Sequence, residues 1–243
     1  MKRLRRMPEI VLLIAALACA WLGIAQLHSR AAIVHEENGA GRRLESMQSA
    51  SEVPEIFEEF QPLLAQNPQI VGMVGVDGRA MYVCQADDNR FYMNHRFDGT
   101  EDDAGMIFLD CRASIWPRSE NLILYGHNRR DGSRFGTLKR YLNAEYLLDH
   151  PEIRLATLYE MHDYLPIAIF RTTIGEFDWE KFSFSDEADF QRFISDAQAR
   201  SELPISMEAT YKTPLLTLVT CSGRADDERL VLICIQKDEG DTE

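Results

Sequence analysis

The chain is predicted to fold as a mainly β domain, a barrel or sandwich of about eight short strands, and three observations carry this expectation. Short apolar runs rich in β-branched residues recur from Ile70 to Gln236. Turn residues such as Asp77-Gly78 separate them. Helical periodicity is confined to a few segments at the N-terminal side and between strands. With 243 residues, of which 45% are hydrophobic, the chain can bury one sizeable core, so one domain with an extension is expected.

The extension comes first. Lys2, Arg3, Arg5 and Arg6 precede an apolar run from Ile10 to Leu27, interrupted only by Gln26. A run of that length suits a bilayer crossing, and the basic cluster favours a cytoplasmic N-terminus. The segment divides into a basic tail at 1–6 and a transmembrane signal-anchor at 7–27, with a single-pass membrane protein whose C-terminal domain is extracellular as the expected localisation. A cleaved signal peptide is the competing reading, and a lipoprotein signal ending at Cys19 is a third. The anchor is preferred because the apolar run continues through Trp21, Leu22 and Ile24, past any suitable cleavage site.

A spacer and N-terminal helices are expected over 28–66. Gly39 and Gly41 lie among polar residues; Arg43 to Ser49 and Pro54 to Gln66 have helical composition, with Ile56, Phe57, Phe60, Leu63 and Leu64 on one face. Asn67-Pro68 reads as a stop. The remaining domain, 67–243, opens with β-like segments at Ile70 to Val76, Ala80 to Gln85, Met106 to Asp110 and Leu122 to Tyr125. It continues with Ile153 to Tyr159, Tyr164 to Thr173, Pro214 to Thr220 and Leu230 to Gln236. Helices are expected at Ser133 to Asn143 and at Ser185 to Arg200, the latter with Phe190, Phe193, Ile194 and Ala197 on its apolar face.

Composition excludes several classes. A formal net charge of −13 argues against nucleic acid as a partner. No pair of His, Cys or Asp residues has convincing ligand spacing, so neither a metal nor another cofactor is expected. Five cysteines do not make a disulfide scaffold. Cys84, Cys111 and Cys234 sit in apolar or β-like runs, where a cysteine is ordinarily a small buried hydrophobe; a Cys84 to Cys111 bridge stays open.

Cys221 differs, because it ends one β-like run and meets a polar loop, after which Arg229 opens the next run. If the two runs pair as a hairpin, thiol and guanidinium stand side by side, and an electropositive neighbour favours the nucleophilic thiolate. His127, after Leu122 to Gly126, is the candidate proton carrier at a third strand end. Cys221 and His127 have plainer alternatives, a structural cysteine and a loop-capping histidine. Arg224 competes with Arg229 but lies within the loop. Tyr125 and Thr220 are candidates for lining a substrate groove or for ordinary strand packing.

These residues fall in motifs that resemble a known family. TLVTC at Thr217 to Cys221 fits the TLxTC signature of sortases, the cysteine transpeptidases of Gram-positive cell surfaces, and LYGHN at Leu124 to Asn128 resembles their histidine segment. The resemblance is closest to class B, through GMIFLDCR at Gly105 to Arg112, NPQIVGM at Asn67 to Met73 and MYVCQADDNRFYMN at Met81 to Asn94. Met73 stands where the class has tryptophan, and Val83 where it has proline. The resemblance implies a closed eight-stranded β-barrel with N-terminal helices and an additional helix before the cysteine strand. It implies Cys221 as nucleophile, His127 as proton carrier and Arg229 as stabiliser of developing charge. It further implies a C-terminal sorting signal of the NPQTN or LPxTG kind, cut after threonine through a thioester. The acyl group would pass to an amine of a peptidoglycan precursor or a pilin. The partners so implied are surface proteins or pilins carrying that signal, the cell-wall acceptor, and the membrane. A non-catalytic surface barrel and a papain-like cell-wall endopeptidase are the rivals; the latter usually places cysteine before histidine, the reverse of the order here.

Overall fold

The computed structural model describes residues 53–221, 223 and 227–238. Eight strands close into a barrel: β1 (Ile70–Val76), β2 (Arg79–Cys84), β3 (Ile107–Leu109), β4 (Asn121–Tyr125), β5 (Ile153–Thr157), β6 (Met161–Thr173), β7 (Leu215–Cys221) and β8 (Glu228–Gln236). Their order around the barrel is β1-β2-β3-β4-β7-β8-β6-β5, and β5 pairs back onto β1. The β2–β3 and β4–β7 pairings are parallel and the rest antiparallel. The parallel β4–β7 pair is what matters for function. It sets the strand that leads to His127 beside the strand that ends in Cys221.

β7 is buried at every position but the last, because each of its faces has a core. Leu216 and Leu218 point into the barrel with Leu122, Leu124, Leu230 and Leu232. Leu215 and Val219 point outward with Ile123, Val231 and Ile233, under α3 (Glu187–Arg200). That helix buries Phe190, Phe193, Ile194 and Ala197, at the spacing of one helical face. Its first turn is capped by Asp186, whose side chain accepts from the Asp189 amide.

Two expected helices differ. Pro54 to Gln66 is not one helix: Phe57 is extended, with its amide donating to the Leu158 carbonyl at 3.0 Å, and only a 3-10 turn (Glu58–Phe60) and α1 (Gln61–Leu64) follow. Phe60 is buried with Ile70 and Leu158, so tertiary bonding of Phe57 overrides the apolar stripe. Ser133 to Asn143 is also not a helix. Arg134 has φ 54° and Gly136 lies so close to the Arg129 carbonyl that a Cβ would sit 2.1 Å from it. The chain therefore doubles back before a 3-10 turn (Leu138–Leu142) and α2 (Ala144–Asp149), which Asn143 caps.

The expected single-pass membrane localisation is corrected, since no helix among the described residues is long and apolar enough to cross a membrane. The apolar run at 7–27 on which that expectation rested, and the helical composition at 43–49, lie outside the described residues. Arg224 lies outside them as well. Cys84, Cys111, Cys221 and Cys234 are all free thiols, which answers the open question about Cys84 and Cys111.

Candidate active site

Strand register brings the first pair together. Cys221 is the last β7 residue and lies opposite Arg229 of β8, and residues opposite one another on antiparallel strands share a face with Cβ atoms about 5 Å apart. That face is the outer one, because Leu215 and Val219 lie two-residue steps before Cys221 and are in the outer core. Cys221 is exposed there, where apolar cover runs out.

His127 reaches the same place through β4. Tyr125 lies opposite Val219 in the parallel pairing, and the Gly126 amide donates to the Val219 carbonyl at 3.2 Å. Gly126 has no room for a side chain: a Cβ would lie 2.3 Å from Ile107 Cδ1 and 2.9 Å from Phe135 Cδ2. The chain then turns, and the Asn128 amide donates from Nδ2 to the Cys221 carbonyl at 2.9 Å. His127 Nε2 lies 2.6 Å from the Met93 carbonyl. A carbonyl only accepts, so Nε2 carries the hydrogen and the neutral ring offers Nδ1 as acceptor. One cavity of about 260 Å³ is lined by Tyr125, His127, Thr220, Cys221 and Arg229 together.

Behind this cavity lies a polar network that sequence reasoning did not anticipate. Asp110 is fully buried. It accepts from Arg112 Nε at 2.9 Å and Nη2 at 2.8 Å, from the Arg112 amide at 3.0 Å and from Asn89 Nδ2 at 2.9 Å. The Tyr125 hydroxyl donates to Asp110 Oδ2 at 3.1 Å, and Arg112 also pairs with Glu180 at 2.9 Å. Burial pushes the Asp110 carboxyl up, but the side-chain and backbone hydrogen bonds from Arg112, with its charge and the Asn89 bond, outweigh burial and hold it below the usual carboxylate range. Burial, followed by the charges of Asp110 and Glu180, pushes the Tyr125 hydroxyl well above its ordinary value. Tyr125 therefore stays a neutral donor.

All five candidate residues thus meet at one cavity, while Asn89, Met93, Trp179 and Glu180, which also line it, were not singled out. The Asp110–Arg112 spacing was visible as part of GMIFLDCR, without a role. Glu180 and Trp179 come from an irregular stretch between β6 and α3 and carry no periodic signal. Thr220 lines the cavity, and its buried Oγ1 has no hydrogen-bond partner among the described residues. Among the described residues no group of His, Cys, Asp and Glu could hold a metal ion.

No family model matches the chain. It is 28% identical to Sortase B of Listeria monocytogenes over 177 residues, 72% of each chain. It is 25% identical to Sortase B of Staphylococcus aureus over 181 residues, 74% of each. A crystal structure of a Bacillus anthracis protein similar to sortase B superposes with a TM-score of 0.69 at 30% identity, covering 77% of this chain and 87% of that one. A Staphylococcus aureus sortase B-substrate complex superposes with a TM-score of 0.70, covering 84% and 94%; at 24% identity that match speaks for the fold. The closed eight-stranded barrel and these relatives lead to one conclusion: the chain belongs to the sortase family, in the neighbourhood of class B, and is a cysteine transpeptidase.

Proposed function

We propose that Cys221 is the nucleophile of this transpeptidase, that His127 carries the protons, and that Arg229 stabilises the developing charge. The observation that carries this reading is the shared cavity, into which three separate strand ends deliver a thiol, an imidazole and a guanidinium. Cys221 Sγ attacks the threonine carbonyl of a sorting-signal peptide, its proton passing to His127. The C–N bond breaks as the amine leaves with a proton from His127, and a thioester remains. An incoming amine then attacks the thioester, gives its proton to His127 and releases the thiolate. Arg229 cannot lose its charge and donates to substrate carbonyls, a preorganised interaction that contributes about 10²-fold or more.

Tyr125 and Thr220 bind the peptide in this reading. Both residues line the cavity that Cys221, His127 and Arg229 share. The substrate class is a C-terminal sorting signal of the NPQTN or LPxTG kind; the listerial and staphylococcal relatives are sortases B, and one staphylococcal structure holds a substrate. The amine acceptor belongs to a cell-wall precursor or a pilin. The working unit is the barrel with the 3-10 turn Glu58–Phe60 and α1, because Phe60 of the turn is buried with Ile70 and Leu158, and Leu63 and Leu64 of α1 pack against them.

The test is hydroxylamine trapping with NPQTN-like and LPxTG-like peptides, followed by mass spectrometry. A threonine hydroxamate is expected from the parent protein, absent from Cys221→Ala and reduced at least about 10²-fold in Arg229→Ala and His127→Ala. No hydroxamate from any peptide, with Cys221 labelling no faster than a free thiol, would overturn the assignment.

A further inference from the structure

The cavity that holds Cys221 carries opposite charges at two places. Arg229 stands opposite Cys221 on the neighbouring strand. Tyr125 is level with Val219, two residues before Cys221, so its backbone lies about 7 Å back along the strand. There Glu180 joins the wall, with Oε1 3.4 Å from the Tyr125 hydroxyl. It is the one carboxylate among the described residues that line the cavity.

The charge around Glu180 is negative. Arg112 donates to Asp110 through Nε at 2.9 Å and Nη2 at 2.8 Å, and the same Nη2 lies 2.9 Å from Glu180 Oε2. Two carboxylates thus share one guanidinium. The cations next in sequence are engaged elsewhere, Lys181 with Asp189 at 2.6 Å and Arg90 with Asp88. Burial first, and then the charges of Asp110 and Glu180, push the Tyr125 hydroxyl up, as expected of a weak acid in acidic surroundings. Asp110 is fully buried and bonded to Arg112, Asn89 and Tyr125, so it meets no ligand. Glu180 can, because 45% of its side chain is exposed and Arg112 occupies only Oε2.

The stretch that presents Glu180 is fixed to the barrel. Asn121 Nδ2 donates to the Lys181 carbonyl at 3.0 Å, and the Asn121 amide donates to the Phe182 carbonyl at 3.2 Å. The Arg112 guanidinium lies 4.9 Å from the centre of the Phe182 ring, and Trp179 is buried. A held, partly solvated carboxylate beside an aromatic wall suits a long cationic side chain, whose stem packs on the wall while its head meets the oxygen.

We propose that Glu180 is a specificity-determining residue, selecting sorting signals that carry a basic side chain before the cleaved threonine. This rests on the transpeptidase reading above. The leaving amine has to meet His127, so the acyl part of the peptide takes the end of the cavity where Tyr125, Trp179 and Glu180 lie. The NPQTN pattern has no basic residue, so the preference departs from it.

The experiment sets peptides against one another with the full-length protein and excess hydroxylamine. Each of the three positions before threonine in an NPQTN-like peptide carries in turn arginine, glutamine or glutamate; arginine supplies the charge without an amine that could act as acceptor. Hydroxamates are counted by mass spectrometry. At one position arginine should be favoured over glutamate about tenfold, attraction and like-charge repulsion acting together, with glutamine between them. Raising the ionic strength should shrink that ratio. Glu180→Gln should bring it down to the ratios at the other two positions, and Glu180→Lys should invert it. A Glu180 that only supports the cavity wall would slow all peptides together and leave the ratio as it was, which would overturn the proposal. So would equal ratios at all three positions in the parent, since the acidic surface as a whole would then account for them. Absence of hydroxamate with every peptide would overturn the transpeptidase reading and this proposal with it.

Discussion

A side chain can serve catalysis only where its backbone is held, and at Cys221 the holding is done by a neighbour whose own side chain does no chemistry. Asn128 donates to the Cys221 carbonyl at 2.9 Å, joining the end of β7 to the turn that carries His127. The bond spans two partly solvated groups, so its contribution to global stability is about 0.5–1.5 kcal/mol. Its larger effect is on relative position, where small displacements of reacting groups are costly. Asn128→Ala is therefore expected to lower peptide acylation about tenfold while the melting temperature falls by only a few degrees. Asn128→Asp, which cannot donate, should behave alike. Stopped-time hydroxamate yields beside thermal melts decide it, and unchanged acylation in both variants would show that the bond positions nothing. The Cys221–Arg229 adjacency was legible in the sequence, because two β-like runs joined by a short polar loop admit few pairings. The Met93 contact to His127 and the Asn128 bond were not, since each joins residues distant in sequence through a turn with no repeating pattern.

At the scale of elements, close approach between backbones decides what the strands can carry, and two glycines separate structure from function. Gly72 of β1 lies against β5, where a Cβ would sit 2.3 Å from the Ala156 carbonyl. Gly126 follows β4 and lies against buried Ile107 and Phe135. Alanine at either position forces a shift in a packed interior, costing about 1–3 kcal/mol. Gly72→Ala opens the seam that closes the barrel, away from the cavity, whereas Gly126→Ala displaces the segment that delivers His127. Both variants are expected to melt several degrees lower. Turnover at a temperature where both stay folded should fall about tenfold or more in Gly126→Ala and remain near parental in Gly72→Ala; equal losses would mean that the His127 turn adapts to the added methyl. The eight strands were legible because their apolar runs are short and separated by turn residues. The parallel β2–β3 and β4–β7 pairings were not, for periodicity reports which face is buried and not which strand lies alongside. The helix expected at Ser133 to Asn143 failed for a related reason, as Gly136 is held against the Arg129 carbonyl and Arg134 adopts a positive φ, neither of which follows from local preference.

For the whole molecule, the acidic balance makes stability depend on keeping particular carboxylates charged. Asp110, Asp77 and Asp163 are all held below the ordinary carboxylate value. For Asp77, burial raises the carboxyl, but the Tyr146 hydroxyl and the Arg140 charge lower it further; for Asp163 the hydrogen bonds from Arg154 come first. Arg140 and Arg154 are more than half exposed, so solvent screens those two pairs. Asp110 is fully buried, and its bonds to Arg112 and Asn89 carry most of the effect. A carboxyl whose folded pKa lies below its unfolded one binds more protons when unfolded, so its stabilisation is complete above about pH 4 and is lost as pH falls through the folded value. Each such group contributes a slope of about 1.4 kcal/mol per pH unit in that window. Melting temperature is expected to be level between about pH 7 and 5 and to fall steeply below about pH 4. Asp110→Asn should destabilise at neutral pH by about 1.5–3 kcal/mol, the worth of hydrogen bonds to a charged group. It should also shallow the acid slope, because one linked proton is gone. Tyr125 bonds to Asp110, so the same variant should raise KM for the peptide through the loosened cavity wall. Thermal melts of parent and variant across pH 2 to 7 test the linkage, and parallel acid slopes would show that Asp110 is not the carboxylate on which acid stability turns.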